Sequence, residues 1–283
     1  QQRGTPMAYE TIEVELLSPN IGAEISGVDL SQPLGNQTFS EIHDALMEHQ
    51  VIFFRDQTMD WEQHKAFGRR FGELHVHPTA PSPEGHPEIL TIRGDAKSKQ
   101  VAGQHWHSDV SCDEEPPMGS ILHLHEVPVP GGDTMFASMY AAYDALSDTM
   151  KAFLDGKQAW HESEHVHGKR YGHKGGMRDG EENLYPKSLH PIVRTHPVTG
   201  RKALFVNCNF TTRIEGLKQN ESDAILGMLY RHIETPEFHC RFPWRNNSVA
   251  FWDNRCAQHK ALWDYYPKTR HGYRVTVQGD RPV

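Results

Sequence analysis

Cysteine is scarce: Cys112, Cys208, Cys240 and Cys256 are the only four in 283 residues. Their wide spacing matches neither a CxxC zinc site nor a dense disulfide framework, so free thiols in a reducing cytoplasm fit best. An excess of basic charge is missing too. Asp and Glu outnumber Lys and Arg 37 to 29, for a net charge of −8. That argues against a nucleic-acid partner, whose phosphates need a basic face. No apolar run is long enough to span a bilayer, so no membrane partner is expected. The start, Gln1 to Glu10, is polar and lacks a signal-peptide pattern. Met7 reads as the native first residue, with Gln1–Pro6 an expression remnant and 1–10 without order.

What is present suits a globular domain. Hydrophobic residues make up 37%, and the length allows one large core, so 1–283 reads as a single domain. Short apolar alternations broken by Gly, Pro, Asn and Asp dominate, and they predict strands. These fall at 12–17, 23–30, 51–54, 88–92, 105–110, 120–125, 134–137, 160–165, 192–195, 203–207, 238–241, 249–252 and 273–277. Thr38 and Glu41 read as a capping box opening a helix. Asp60-Trp61-Glu62-Gln63 opens another, and 221–233 is an amphipathic third. Many short strands with few helices give a mainly β fold with flanking helices, a sandwich or barrel such as a jelly roll. Residues 162–186 are poor in apolar side chains and read as a long flexible loop over an active site.

Twenty histidines is a high count, so position must decide which of them carry chemistry. In a strand over 105–110, His107 and Asp109 would share a face. Two histidines and one carboxylate on one face are the signature of oxygen-activating non-haem iron, which keeps open positions for co-substrate and O2. His259, 152 residues past His107, is the best third ligand. Alone, an HxD pair is usually a hydrogen-bonding surface pair. His105 competes with His107, and the alternating sets His123/His125 and His161/His165/His167 compete with both.

Two further features favour the His107 set. Gly131-Gly132-Asp133-Thr134 is a turn leading into a strand whose Thr134 hydroxyl can donate to a carboxylate. Arg270 and Arg274 follow His259 by 11 and 15 residues. A guanidinium fork matches a carboxylate with two bonds, so Arg270 can hold the far carboxylate of a metal-chelating 2-keto acid.

These residues carry a resemblance. His107-Ser108-Asp109, Gly131 to Thr134, Trp252-Asp253-Asn254-Arg255 with His259, and Arg270 with Arg274 resemble the taurine dioxygenase/2,4-dichlorophenoxyacetate dioxygenase family. The likeness runs from Ile21 through 71–78, 190–197 and 203–207. It implies a double-stranded β-helix (jelly-roll) core and Fe(II) at His107, Asp109 and His259. It implies 2-oxoglutarate at Thr134 and Arg270, O2 as oxidant, release of succinate and CO2, and hydroxylation of a substrate C–H bond. Relatives are often dimers or tetramers, which implies a homo-oligomer, and the taurine-type members imply a role in sulfur metabolism.

For the substrate, the resemblance assigns His77 and Arg274 to an anionic head and Phe210 to the pocket wall. Two positions depart from the taurine pattern. Ala80 stands where a pocket tyrosine is usual and Gly103 where an asparagine is usual, and both changes remove hydrogen-bonding groups. A site without those partners should not desolvate the taurine amine. The expected substrate is therefore a larger or less polar sulfonate, sulfate ester or carboxylate. The competing readings are a zinc hydrolase using the same triad, which gives Thr134 and Arg270 no task, and a non-catalytic jelly-roll binding module.

Overall fold

The computed structural model describes residues 9–77, 82–168 and 185–283. Fifteen strands are named in chain order: β1 Glu13–Leu16, β2 Ala23–Ser26, β3 Val51–Phe54, β4 Leu90–Gly94, β5 Gly119–Glu126, β6 Thr134–Ser138, β7 Gln158–Glu162, β8 Lys187–Pro191, β9 Val193–Thr195, β10 Lys202–Leu204, β11 Thr211–Ile214, β12 His239–Phe242, β13 Ser248–Asp253, β14 Ala257–Ala261 and β15 Arg270–Val277. Among the described residues the α-helices are α1 Asn36–His49, α2 Trp61–Arg69, α3 Met139–Asp144, α4 Asp148–Leu154 and α5 Gln219–Ile233. Among the described residues no helix is long and apolar enough to cross a membrane.

A seven-stranded sheet runs β1-β2-β3-β13-β5-β15-β4, and a three-stranded sheet, β12-β6-β14, faces it. The composition of two strands explains the layering. Ile52 and Phe54 of β3, with Val249 and Phe251 of β13, point to the core under α1 and α2. Their alternates Val51, Phe53, Ala250 and Trp252 point to the core between the sheets. A strand covered on both faces reads as an unbroken apolar run, as Val51–Phe54 does. Phe53 stacks on Phe242 at 3.9 Å and meets Phe136 at 5.5 Å, which joins the two sheets. This is the jelly roll expected, with helices outside.

The Asp60/Gln63 capping box is present, each side chain bonding the other's backbone amide at 2.8 Å. The Thr38/Glu41 box is not. Helix α1 starts at Asn36 after Gly35, which offers no side-chain cap. Glu41 instead accepts the amides of Glu10, Thr11 and Ile12 at 3.0, 2.9 and 3.3 Å, pinning the chain before β1 to the helix. Residues 105–110 are not a strand either: only His107 pairs, in an isolated bridge with His259, and Val110 has φ 45°. Of the loop expected over 162–186, residues 164–168 form a π-helical turn and Ser163 bonds the Pro186 carbonyl at both its amide and its hydroxyl. Its centre, like the stretch 1–8, lies outside the described residues.

Candidate active site

The candidate metal ligands come together through strand pairing rather than through alternation within one strand. His107 and His259 exchange backbone hydrogen bonds (3.2 and 2.9 Å), so their rings lie opposite each other, centroids 4.1 Å apart. Asp109 follows two residues on, inside a turn. Its Oδ1 lies 3.7 Å from His107 Nε2 and 3.8 Å from His259 Nε2. Two donors each about 2.1 Å from one ion can be no more than about 4.2 Å apart; both Asp109–histidine separations meet that limit, and the three ligand atoms lie within 4.8 Å of one another, close enough to be a candidate ion site. The histidine–carboxylate donor set suits a divalent transition metal.

Protonation is already right for ligation. His107 Nδ1 donates to the His105 carbonyl at 2.8 Å, which leaves the Nε2 lone pair facing the site. Burial lowers the pKa of His107, and burial with the His107 charge lowers that of His259 further. Burial opposes ionisation of Asp109, yet Arg274, the two histidines and Ser120 hold it well below the usual carboxylate range. Neutral imidazoles beside a carboxylate are the forms that bind metal.

Arg270 and Arg274 stand on the same face of β15, which looks onto the three-stranded sheet. Arg270 is 5% exposed. It donates from Nε to the Gly132 carbonyl (2.9 Å) and from Nη2 to Thr134 Oγ1 (3.1 Å). Both acceptors are neutral, and among the described residues no carboxylate comes within ion-pair distance. Burial lowers the Arg270 pKa to about 10. A buried cation without a counter-ion is costly, and an incoming carboxylate removes that cost. Trp244 Nε1 also donates to Thr134 Oγ1, at 2.9 Å. With two donors on its oxygen, the Thr134 proton is free to point at a ligand. Gly131 (φ 107°) and Gly132 (φ 75°) make the turn that brings Thr134 here.

At the other end Arg274 Nη1 donates to Asp109 Oδ1 at 2.8 Å. Burial, and then the nearby Arg274 charge, lower the pKa of His75. His77 is half-buried and meets the His75 ring at 6.4 Å. Gly103, at φ 80°, bonds Ala261 through its carbonyl at 2.7 Å. A Cβ on it would sit 3.1 Å from His107 Cε1, so this glycine borders the candidate ligand. Phe210 is buried in a small apolar cluster with Val110 and Cys112, against the turn that follows Asp109. Ala80 lies outside the described residues.

The competing histidine sets take other positions. His161 is enclosed with Ser111 and Asn207. The side chains of His123 and His125 face α2, across the large sheet from the arginines. A second buried donor group, His196, Asp253 and Cys256, has its carboxylate consumed: Asp253 takes Arg255 on both oxygens (2.9 and 2.7 Å) and His196 on one (3.0 Å). Sequence reasoning missed Ser120, Trp244 and the tasks of Trp252 and Asn254. The Trp252–Arg255 motif was visible, but the cross-strand partners that give it meaning were not.

A family model described as taurine catabolism dioxygenase TauD, TfdA family matches residues 13–276. An alpha-ketoglutarate-dependent sulfonate dioxygenase of Saccharomyces cerevisiae is 34% identical over 286 residues, covering 96% of this chain and 68% of the relative. An alpha-ketoglutarate-dependent sulfate ester dioxygenase of Pseudomonas putida is 34% identical over 284 residues, covering 98% and 93%. The crystal structure of a taurine dioxygenase from Burkholderia xenovorans superposes with a TM-score of 0.83 at 37% identity, covering 97% of this chain and 93% of that one.

Proposed function

This chain belongs to the TauD/TfdA family of dioxygenases and is a 2-oxoglutarate-dependent oxidoreductase, and on that premise we propose how its residues divide the work. His107, Asp109 and His259 hold Fe(II). Thr134 and Arg270 hold the far carboxylate of 2-oxoglutarate. Arg274 and His77 receive the anionic head of the substrate, with Phe210 as an apolar wall and Gly103 leaving the space beside His107 open.

The observation that carries this reading is the buried Arg270 guanidinium, bonded among the described residues only to neutral acceptors and turned to the same inter-sheet space as the triad. A zinc hydrolase would leave that cation without a task. When bound, Fe(II) with 2-oxoglutarate would supply the site at which O2, the oxidant, is activated: one oxygen atom goes into succinate as CO2 leaves and the other into the substrate C–H bond. The chain's own part is to keep His107 and His259 neutral and Asp109 ionised. It also fixes the co-substrate end with Arg270 and excludes water with the buried rings Phe136 and Trp252, which pack on His259 at 6.1 and 4.5 Å.

The relatives named above act on sulfonates and sulfate esters. Together with Arg274, this supports a sulfonate, sulfate ester or carboxylate as substrate. Gly103 supports one with a larger or less polar body than taurine. Four free cysteines support a reducing compartment. The test is succinate release under O2 across taurine, long-chain alkylsulfonates, alkyl sulfates and aryloxy acids. The expected result is stronger coupling with the bulkier anions. Efficient turnover of taurine with the bulkier anions ignored would overturn the substrate reading.

A further inference from the structure

Asp109 has two oxygens, and the fold treats them differently. Oδ1 faces the two Nε2 atoms (3.7 and 3.8 Å) and also accepts Arg274 Nη1 at 2.8 Å. Oδ2 points away, into a closed set of hydrogen bonds. It accepts from Ser120 Oγ at 2.8 Å and from Trp252 Nε1 at 3.2 Å. The same indole N–H is shared with Asn254 Oδ1 at 3.0 Å. That Asn254 oxygen also accepts the Asp109 backbone amide at 3.1 Å, and Asn254 Nδ2 donates to Ser120 Oγ at 3.3 Å. Each of these residues is 3% exposed or less.

The register explains how they meet. Ser120 of β5 pairs with Trp252 of β13, so the two side chains stand abreast on the inner face and flank Asp109. Asn254 follows immediately at the turn, and its carbonyl takes the Ser108 hydroxyl at 2.7 Å. Trp252 also packs its ring against His259, so it touches two of the three ligands.

We propose that Ser120, Trp252 and Asn254 are positioning residues that lock Asp109 as a one-oxygen metal ligand, with Oδ1 alone presented to the ion. The inference rests on the metal assignment above. A carboxylate free to rotate can offer either oxygen or both, and so can consume a position that the co-substrate and O2 need. Two donors on Oδ2 remove that freedom. Partners that orient a ligand in this way typically contribute 10- to 100-fold in metal affinity. Because the set closes on itself, with Asn254 holding both Ser120 and Trp252 in line, losing one donor loosens the rest.

The test uses Co(II) as the probe, with affinity and the visible d–d spectrum as readouts, at a temperature well below each variant's melting point. Ser120→Ala and Trp252→Phe should each bind Co(II) about 10- to 100-fold more weakly and show altered d–d intensity. Ser120→Cys, similar in size with a weaker donor, should fall between wild type and Ser120→Ala. A merely structural role would lower the melting point of the metal-free protein and leave Co(II) affinity and spectrum unchanged. That result, in variants folded by circular dichroism, overturns the proposal. If Trp252→Phe does not fold, Ser120→Ala decides alone. Wild-type protein that binds no Co(II) overturns the metal assignment and the clamp with it, whereas variants at wild-type affinity overturn the clamp only.

Discussion

Arg270 shows how much one residue can disclose. The order of motifs and the guanidinium fork together gave it a task, and its burial, with no carboxylate at ion-pair distance among the described residues, supports that task. Arg270→Ala should raise the 2-oxoglutarate KM by roughly 30- to 150-fold, equivalent to about 2–3 kcal/mol for charge-assisted bonds. Arg270→Lys keeps the charge without the fork and should fall in between. An unchanged KM in Arg270→Ala would remove this residue from the co-substrate site. Gly103 makes a different case. The sequence suggested only lost polarity, but the left-handed backbone and the 3.1 Å approach to His107 add a steric reason for glycine. Gly103→Ala should cost about 1–2 kcal/mol in unfolding free energy from backbone strain and weaken metal binding. Denaturant titration and Co(II) affinity check both. Ser120 was not legible at all, because a serine in an apolar strand announces nothing until its cross-strand neighbour and Asp109 are known.

At the level of elements, the candidate pair His107 and Asp109 was singled out for an incomplete reason. Residues 105–110 do not alternate as a strand. The bridge to His259, and the turn after it, bring Asp109 round. Strand β14, which carries His259, was not anticipated, since Ala257–Ala261 has no clear period and owes its extension to pairing with β6. The short helices α3 and α4 were also missed. They sit below the length at which apolar periodicity becomes readable, and their serine caps (Ser138, Ser147) are the remaining local signal. The turn from β13 to β14 depends on a buried charge set. Asp253, fully enclosed, holds Arg255 and His196, and those partners overcome burial to keep its pKa well below the ordinary value. A depressed carboxylate contributes stability above its unfolded pKa, near 3.9, and loses it as pH falls toward the folded value. Asp253→Asn should therefore destabilise the protein by about 3–5 kcal/mol at pH 7, since Arg255 loses its buried counter-ion. Calorimetric melting checks this, and a melting point equal to wild type would contradict it.

Across the whole molecule the histidine excess becomes a stability property. Most of the twenty are not ligands. His64 and His161 are enclosed and burial lowers their pKa to about 3, while His123, also enclosed, falls to about 4. In the unfolded chain each would titrate near 6.5. Their folded values are depressed, so their contribution is intact above pH 6.5 and is lost as pH falls from there toward 3 to 4. Each group removes up to about 1.4 kcal/mol per pH unit, so the unfolding free energy should drop steeply between pH 6.5 and 5. Urea titrations at pH 7.5 and 5.5 measure the drop, and His64→Gln should reduce the slope by about one proton. Equal stability at the two pH values would contradict this. The jelly roll itself was legible from strand count and the fully apolar runs, whereas sheet order was not, because pairing between distant strands leaves no local mark.

The central claim is that one inter-sheet site holds both the metal and 2-oxoglutarate. Its most direct test is anaerobic titration of the metal-free protein with Fe(II) and 2-oxoglutarate, watched for the weak visible metal-to-ligand charge-transfer band. The account predicts that the band appears, is lost in His107→Ala and is weakened in Arg270→Ala. A folded, metal-loaded protein that shows no band, or a band indifferent to Arg270, would contradict it.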